Sequence, residues 1–205
     1  MWIILHRPGT ARLLIETDFP DLLETRRLEL RPYTNADAPM LLQLIDDNRE
    51  LLQRNFGPLT KGVTQLTGAA GYVTESLENW KARKEYIYGV WCRPSEELVG
   101  QIKVKNIAWD IPASELSYFI SQSVQRQGFA TEAIAAVLAA AFEKLHFERI
   151  FLRIIASNVG SLGLAEKLGF KLEGLHRSAF RCGFGELHDV YHYAILVGDP
   201  DPRLS

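Results

Sequence analysis

The chain has 205 residues, 47% of them hydrophobic and 23% charged, the length and composition of one globular domain with short extensions. A formal net charge of -2 gives no global reason to expect nucleic acid or an anionic membrane as the main partner. No apolar run approaches the roughly 20 residues that span a bilayer, and the opening MWIIL is too short for a secretory signal.

The two cysteines, Cys92 and Cys182, lie outside any metal-ligand spacing and read as reduced thiols, which suits a cytoplasmic protein. Residues 1–23 mix apolar runs with proline and glycine; their role is open, and an extra strand is one outcome. The domain proper is expected over residues 24–198, with 199–205 as a tail. LELRPY from Leu28 reads as a strand ended by Pro32, followed by a helical pattern from Asn35, the candidate N-cap. FGPLTKGV is turn-rich. Residues 64–84 keep helical spacing through Leu66, Tyr72, Val73, Leu77 and Trp80.

Three β-like runs then follow, YIYGVWC, LVGQIKVKNIAW and ELSYFI, joined by the polar turns PSEE and DIPAS as an antiparallel meander. Ala130, Ala133, Ile134, Val137, Leu138, Ala141, Phe142 and Leu145 keep a strong i, i+3, i+4 rhythm and predict a buried helix. RIFLRIIA is a strand. A short helix follows with Asn158 as N-cap and Gly169 at its end, and FKLEGLHRSAF and HDVYHYAILV form a closing hairpin.

The turn QRQGFA, residues 125–130, opens the buried helix with exposed polar residues. A helix start offers unpaired N–H groups and a partial positive charge, so such a corner can hold a phosphate. Gly128 lets the backbone approach an anion, Ala130 leaves room, and Thr131 supplies a hydroxyl. The bland alternative is a solvated turn. Neither G-x-x-x-x-G-K-[ST] nor G-x-G-x-x-G occurs, which demotes nucleotide hydrolysis and dinucleotide binding.

Q-x-x-G-x-A at Gln125–Ala130, preceded by ELSYFI and followed by a strand, N-x-x-S at Asn158–Ser161 and EKLGF, resembles the GNAT superfamily of acyl-CoA-dependent N-acetyltransferases. The likeness runs from ETRRLELRPYTNADA to YHYAIL and is greatest to the RimJ/RimL branch. It implies an α+β fold, a mixed and mostly antiparallel seven-stranded sheet that splays after the fourth strand and is flanked by helices. Acetyl-CoA would lie in the gap, its diphosphate on Gln125, Arg126, Gln127, Gly128, Phe129 and Ala130 with Thr131 nearby. Its pantetheine arm would run along Phe119, Ile120 and Ser121, and Asn158 and Ser161 would lie by the thioester.

Catalytic roles follow from the same likeness. Glu115, sharing a strand face with Ser117 and Phe119, is the candidate general base, and Ser161 the candidate proton donor to the CoA thiolate. Tyr118 and Asp189 are candidate substrate contacts, with Tyr118, Tyr191 and Tyr193 as alternative donors. Where RimL-like enzymes carry a second carboxylate, this chain reads Phe180-Arg181. His188 and His192 are four apart in a strand pattern, about 13 Å from each other, so no metal is expected. Arg26, Arg27 and Arg31 read as a solvated strand edge.

The resemblance implies a primary amine as acceptor, first the amino terminus of a protein, with a ribosomal protein as the example that branch offers. Small amines such as polyamines, amino acids or aminoglycosides form a second reading, and a non-catalytic acyl-CoA-binding module a third. The branch also makes a homodimer an option that no residue pattern specifies.

Overall fold

The computed structural model describes residues 18–199. The reading of residues 1–17 and of 200–205 lies outside them. Eight strands form one sheet: β1 (Leu23–Glu24), β2 (Leu28–Arg31), β3 (Tyr86–Cys92), β4 (Glu97–Ala108), β5 (Ala113–Ile120), β6 (Arg149–Ile155), β7 (Lys171–Arg181) and β8 (Leu187–Leu196). Their order is β1-β2-β3-β4-β5-β6-β8-β7, antiparallel throughout except for β5 beside β6. The sheet thus has one strand more than the seven expected, because Leu23 and Glu24 add a short edge to β2. Two residues are too few to carry an alternation readable in sequence.

Among the described residues six α-helices flank the sheet: α1 (Ala38–Asp47), α2 (Arg49–Asn55), α3 (Gly57–Gly62), α4 (Leu66–Lys81), α5 (Phe129–Glu143) and α6 (Val159–Lys167). The expected N-cap at Asn35 is displaced by one residue. Thr34 caps a short 3-10 turn instead, its hydroxyl and amide both bonded to Asp37, which Arg31 holds in turn. The turn-rich FGPLTKGV is mostly helix α3. Pro58 suits the first turn of that helix, and the buried Thr60 hydroxyl bonds Gln53 of α2 and the Gly57 carbonyl.

Two apolar clusters lie on opposite faces of the sheet. On one, Ile102, Val104 and Leu116 pack against Ile134, Val137 and Leu138 of α5. On the other, Ile87, Trp91 and Phe119 meet Leu41 and Ile45 of α1 and Val73 of α4. Buried on both faces, β3 reads as the continuous apolar run YIYGVWC. Phe19, just before β1, is buried among Tyr86, Tyr88 and Phe147, so the end of the amino-terminal segment plugs the first core.

Strand divergence positions the site. β5 pairs with β6 only at Ala113, Ser114 and Glu115, while on its other side it stays paired with β4 as far as Ile120. Past Glu115 the two parallel strands separate, and the β6-facing backbone of Leu116–Ile120 lines the opening.

Candidate active site

The α5 corner comes first in chain order. Gln125–Gly128 is exposed, and Gly128 occupies the N-cap with φ +81°, a left-handed conformation that glycine adopts without steric cost. No side chain caps the helix start, which leaves early amides for a ligand. Arg126 is also left-handed, at φ +60°. Backbone of this kind can curl successive N–H groups toward one side.

The corner is braced from a distant segment. Arg27 donates to the Gln127 carbonyl at 2.8 Å and to Glu132 at 2.7 Å, and its guanidinium lies 4.5 Å from the centre of the Phe129 ring. Thr25 and the Arg27 amide also bond Glu132. Burial pushes the Glu132 carboxyl up, but these bonds more than reverse it and leave its pKa below the ordinary value. Glu132 therefore stays ionised in the first helical turn, with its charge offset by Arg27. The arginine expected at a solvated strand edge instead fixes the corner, and its distance of about 100 residues in sequence hides this role.

A cleft of about 860 Å³ opens where β5 and β6 part. It passes between the sheet's faces. On the α5/α6 side lie Tyr118, Asn158 and Ser161. Asn158 caps α6 through a 3.1 Å bond from the Ser161 amide, so local helix geometry holds the serine at the cleft. The buried Tyr118 hydroxyl has no hydrogen-bond partner among the described residues. Burial pushes its pKa up; the Ser161 hydroxyl, close by but outside good hydrogen-bond geometry, pulls it partly back.

On the opposite face, cross-strand register sets Lys105 against Glu115, Lys103 against Ser117 and Gln101 against Phe119. Glu115 is 3% exposed. One of its oxygens receives Arg153 at 3.1 Å and Lys105 at 3.3 Å, and the other receives Asn106 at 2.6 Å. Two hydrogen bonds and the Lys105 ion pair thus take up part of the carboxylate's acceptor capacity and leave room for a water or an amine. Phe56, Leu59, Val63, Tyr72 and Glu75 from the α2–α4 segments form the remaining wall.

Other sequence candidates stand elsewhere. Phe119, Ile120 and Ser121 are buried, and Ser121 bonds Asn48, so their backbone rather than their side chains faces the strand opening. Ala130 and Thr131 occupy the first turn of α5. Asp189 accepts a 2.8 Å bond from the Ser178 amide at the irregular β7–β8 register and does not line the cleft. Phe180 lines it. Tyr191 and Tyr193 face the first core, with Tyr193 bonded to Glu166.

Sequence reading passes over Lys103, Lys105 and Arg153, which look like ordinary strand-surface charges until the register places them together. It also passes over the stacking of His176 on His192, with ring centres 3.8 Å apart. Burial lowers the His192 pKa, and His176 and Arg153 add to the effect. Among the described residues no helix is long and apolar enough to cross a membrane.

Comparison with known proteins agrees with this architecture. Residues 27–171 match the acetyltransferase (GNAT) domain family. The chain is 27% identical over 182 residues to the probable N-acetyltransferase YjcK of Bacillus subtilis, covering 88% of this chain and 99% of that one. An acetyl transferase from Salmonella typhimurium, described as modifying the N-terminal serine of ribosomal protein L7/L12, shares the fold with a TM-score of 0.76 and 23% identity, over 85% of this chain and 98% of its own. Mycobacterium smegmatis RimJ, solved with a CoA disulfide, gives 0.80 and 20% over 90% and 92%. With its sheet, open strand pair and glycine-capped α5, this chain belongs to the GNAT acetyltransferase family and is an acetyl-CoA-dependent N-acetyltransferase.

Proposed function

We propose that the enzyme transfers acetyl directly to the α-amino group of a protein amino terminus, with a ribosomal protein as the first candidate. The carrying observation is one cleft reached from both faces of the sheet, with Ser161 and Tyr118 on the α5/α6 side and Glu115 on the side of α2–α4. The donor's diphosphate rests on the α5 corner, and its pantetheine arm adds to the unpaired edge of β5 beyond Glu115. The acceptor enters from the opposite face.

An α-amine has a pKa near 8 against about 10.4 for lysine, so it needs far less help to lose its proton. Glu115 takes that proton directly or through water. The amine nitrogen then bonds to the thioester carbonyl carbon and the carbon–sulfur bond breaks; the attacking nitrogen gives up its surplus proton, and the leaving thiolate, hydrogen-bonded by the Ser161 and Tyr118 hydroxyls, takes one up to leave as the free thiol. The Tyr118 phenol, its pKa raised by burial from an already high ordinary value, is protonated and can donate a hydrogen bond. Two relatives in fold carry ribosomal-protein or RimJ names, which favours this acceptor class over small amines.

The test follows thiol release with acetyl-CoA and three acceptors: a peptide with a free amino terminus, the same peptide blocked there but retaining lysine, and a panel of polyamines and aminoglycosides. Turnover on the free peptide alone is expected. Preference for small amines overturns the acceptor assignment. Tight acetyl-CoA binding with no turnover on any acceptor would instead mark a binding module, in keeping with Phe180 where RimL-like relatives carry a carboxylate.

A further inference from the structure

The β7–β8 turn gathers a second set of reactive side chains outside the cleft chemistry. Cys182 lies opposite Glu186 across the turn, with the Cys182 amide bonded to the Glu186 carbonyl. His188, in β8, comes two residues after Glu186, which immediately precedes that strand. One ligand atom from each of Cys182, Glu186 and His188 lies within 4.8 Å of the other two.

Their surroundings differ from those of an ordinary surface ion pair. Cys182 is 4% exposed. The His188 Nε2 atom is buried without a hydrogen bond among the described residues, although a Glu186 oxygen lies 3.4 Å away. The Cys182 sulfur is 4.0 Å from the same Glu186 oxygen. Glu186 itself is solvent-facing, its side chain 63% exposed, and offers a path of entry. A thiolate, a neutral imidazole and a carboxylate together carry two negative charges and suit a borderline divalent ion.

We propose that Cys182 Sγ, Glu186 and His188 Nε2 bind a zinc-class divalent cation at the tip of this hairpin, with water completing a tetrahedron. Bonds of about 2.0–2.3 Å place tetrahedral ligand atoms roughly 3.3–3.8 Å apart, so closure asks about 1 Å of side-chain movement. The spacing C-x3-E-x-H matches no familiar metal motif because the hairpin register, not a knuckle or a helix, assembles it.

The tip also packs on the acceptor-side helices. Gly183 exchanges hydrogen bonds with Gln53 of α2, and a side chain at Gly183 would meet the Gln53 carbonyl at 2.1 Å. Metal at Cys182 would therefore stiffen the wall beside the cleft. Whether the protein acetylates any amine does not enter the test.

Full-length reduced protein is titrated with Co2+ as an optical probe and then with Zn2+, following the thiolate-to-cobalt absorption and the melting temperature. One equivalent of Co2+ should give the band, Zn2+ should abolish it, and Zn2+ should raise the melting temperature. Cys182→Ser and His188→Gln should each weaken binding by at least about 100-fold, more than losses typical of outer-shell partners, while Cys92→Ser leaves it unchanged. Absence of the band in the parent protein, or its persistence in Cys182→Ser, overturns the proposal. Should Cys182→Ser fail to fold, full-affinity binding by His188→Gln overturns it equally.

Discussion

The α5 corner and the β7–β8 end of the cleft make opposite use of sequence. At the corner the proposed diphosphate seat is six consecutive residues, Gln125–Ala130, which one remote arginine, Arg27, braces through the Gln127 carbonyl. Around Glu115 and His192, by contrast, the charged groups come from β4, β5, β6 and β8 and meet only through strand register. On the proposed reading, cofactor recognition through backbone amides would tolerate side-chain drift, whereas the acceptor side could change its chemistry one strand position at a time. This suits a fold that keeps one donor and varies the acceptor.

Substitutions on the two sides should separate in kinetics. The largest effect is expected from Glu115→Gln, which should lower kcat/KM for the acceptor by about 10²–10⁴-fold with the Kd for acetyl-CoA, measured by calorimetry, unchanged. Next, Ser161→Ala and Tyr118→Phe should each reduce kcat by about tenfold, and the double variant should depart from the product of the two if, as proposed, both hydroxyls serve one sulfur. Stopped-flow thiol detection resolves the three rates.

At the corner, Gly128→Val forces a branched side chain into the left-handed region at a cost of about 1–2 kcal/mol. Its Cβ would also meet the Arg27 guanidinium at 3.3 Å. We expect the KM for acetyl-CoA to rise about tenfold with acceptor KM unaffected. Arg27→Ala should raise the same KM by only a few-fold, because the lost bonds to Gln127 and Glu132 are partly open to solvent.

The smallest expected effect is on acid stability. Glu132 and Asp37 both have folded pKa values below their ordinary 4.5 and 3.8. For Asp37, burial raises the value, and hydrogen bonds from Arg31 and Thr34 more than reverse it. The unfolded chain takes up these protons at higher pH than the folded one. The stabilisation is thus complete above the ordinary values and is lost as pH falls through the folded ones. Urea unfolding between pH 5 and pH 3 should show a shallower decline in Glu132→Gln than in the parent, within about 1 kcal/mol of difference.

Features written in local pattern were legible from sequence. The α5 stripe, the three-strand meander and the Asn158 cap each depend on residues within a few positions of one another, and the structure reproduces them. The β1 edge, the Phe19 plug and helix α3 depend on distant partners or on too few residues. The candidate catalytic pair divides the same way. Ser161 is set by its own helix start, while the crowding of Glu115 by Lys105, Asn106 and Arg153 appears only once strand register is known.

A crystal structure of the acetyl-CoA complex tests the central claim most directly. Diphosphate oxygens should lie within hydrogen-bond distance of amides in the Gln125–Ala130 segment, and the thioester sulfur beside Ser161 and Tyr118 in the gap between β5 and β6. A diphosphate bound away from the α5 corner, or a thioester that does not enter that gap, would contradict it.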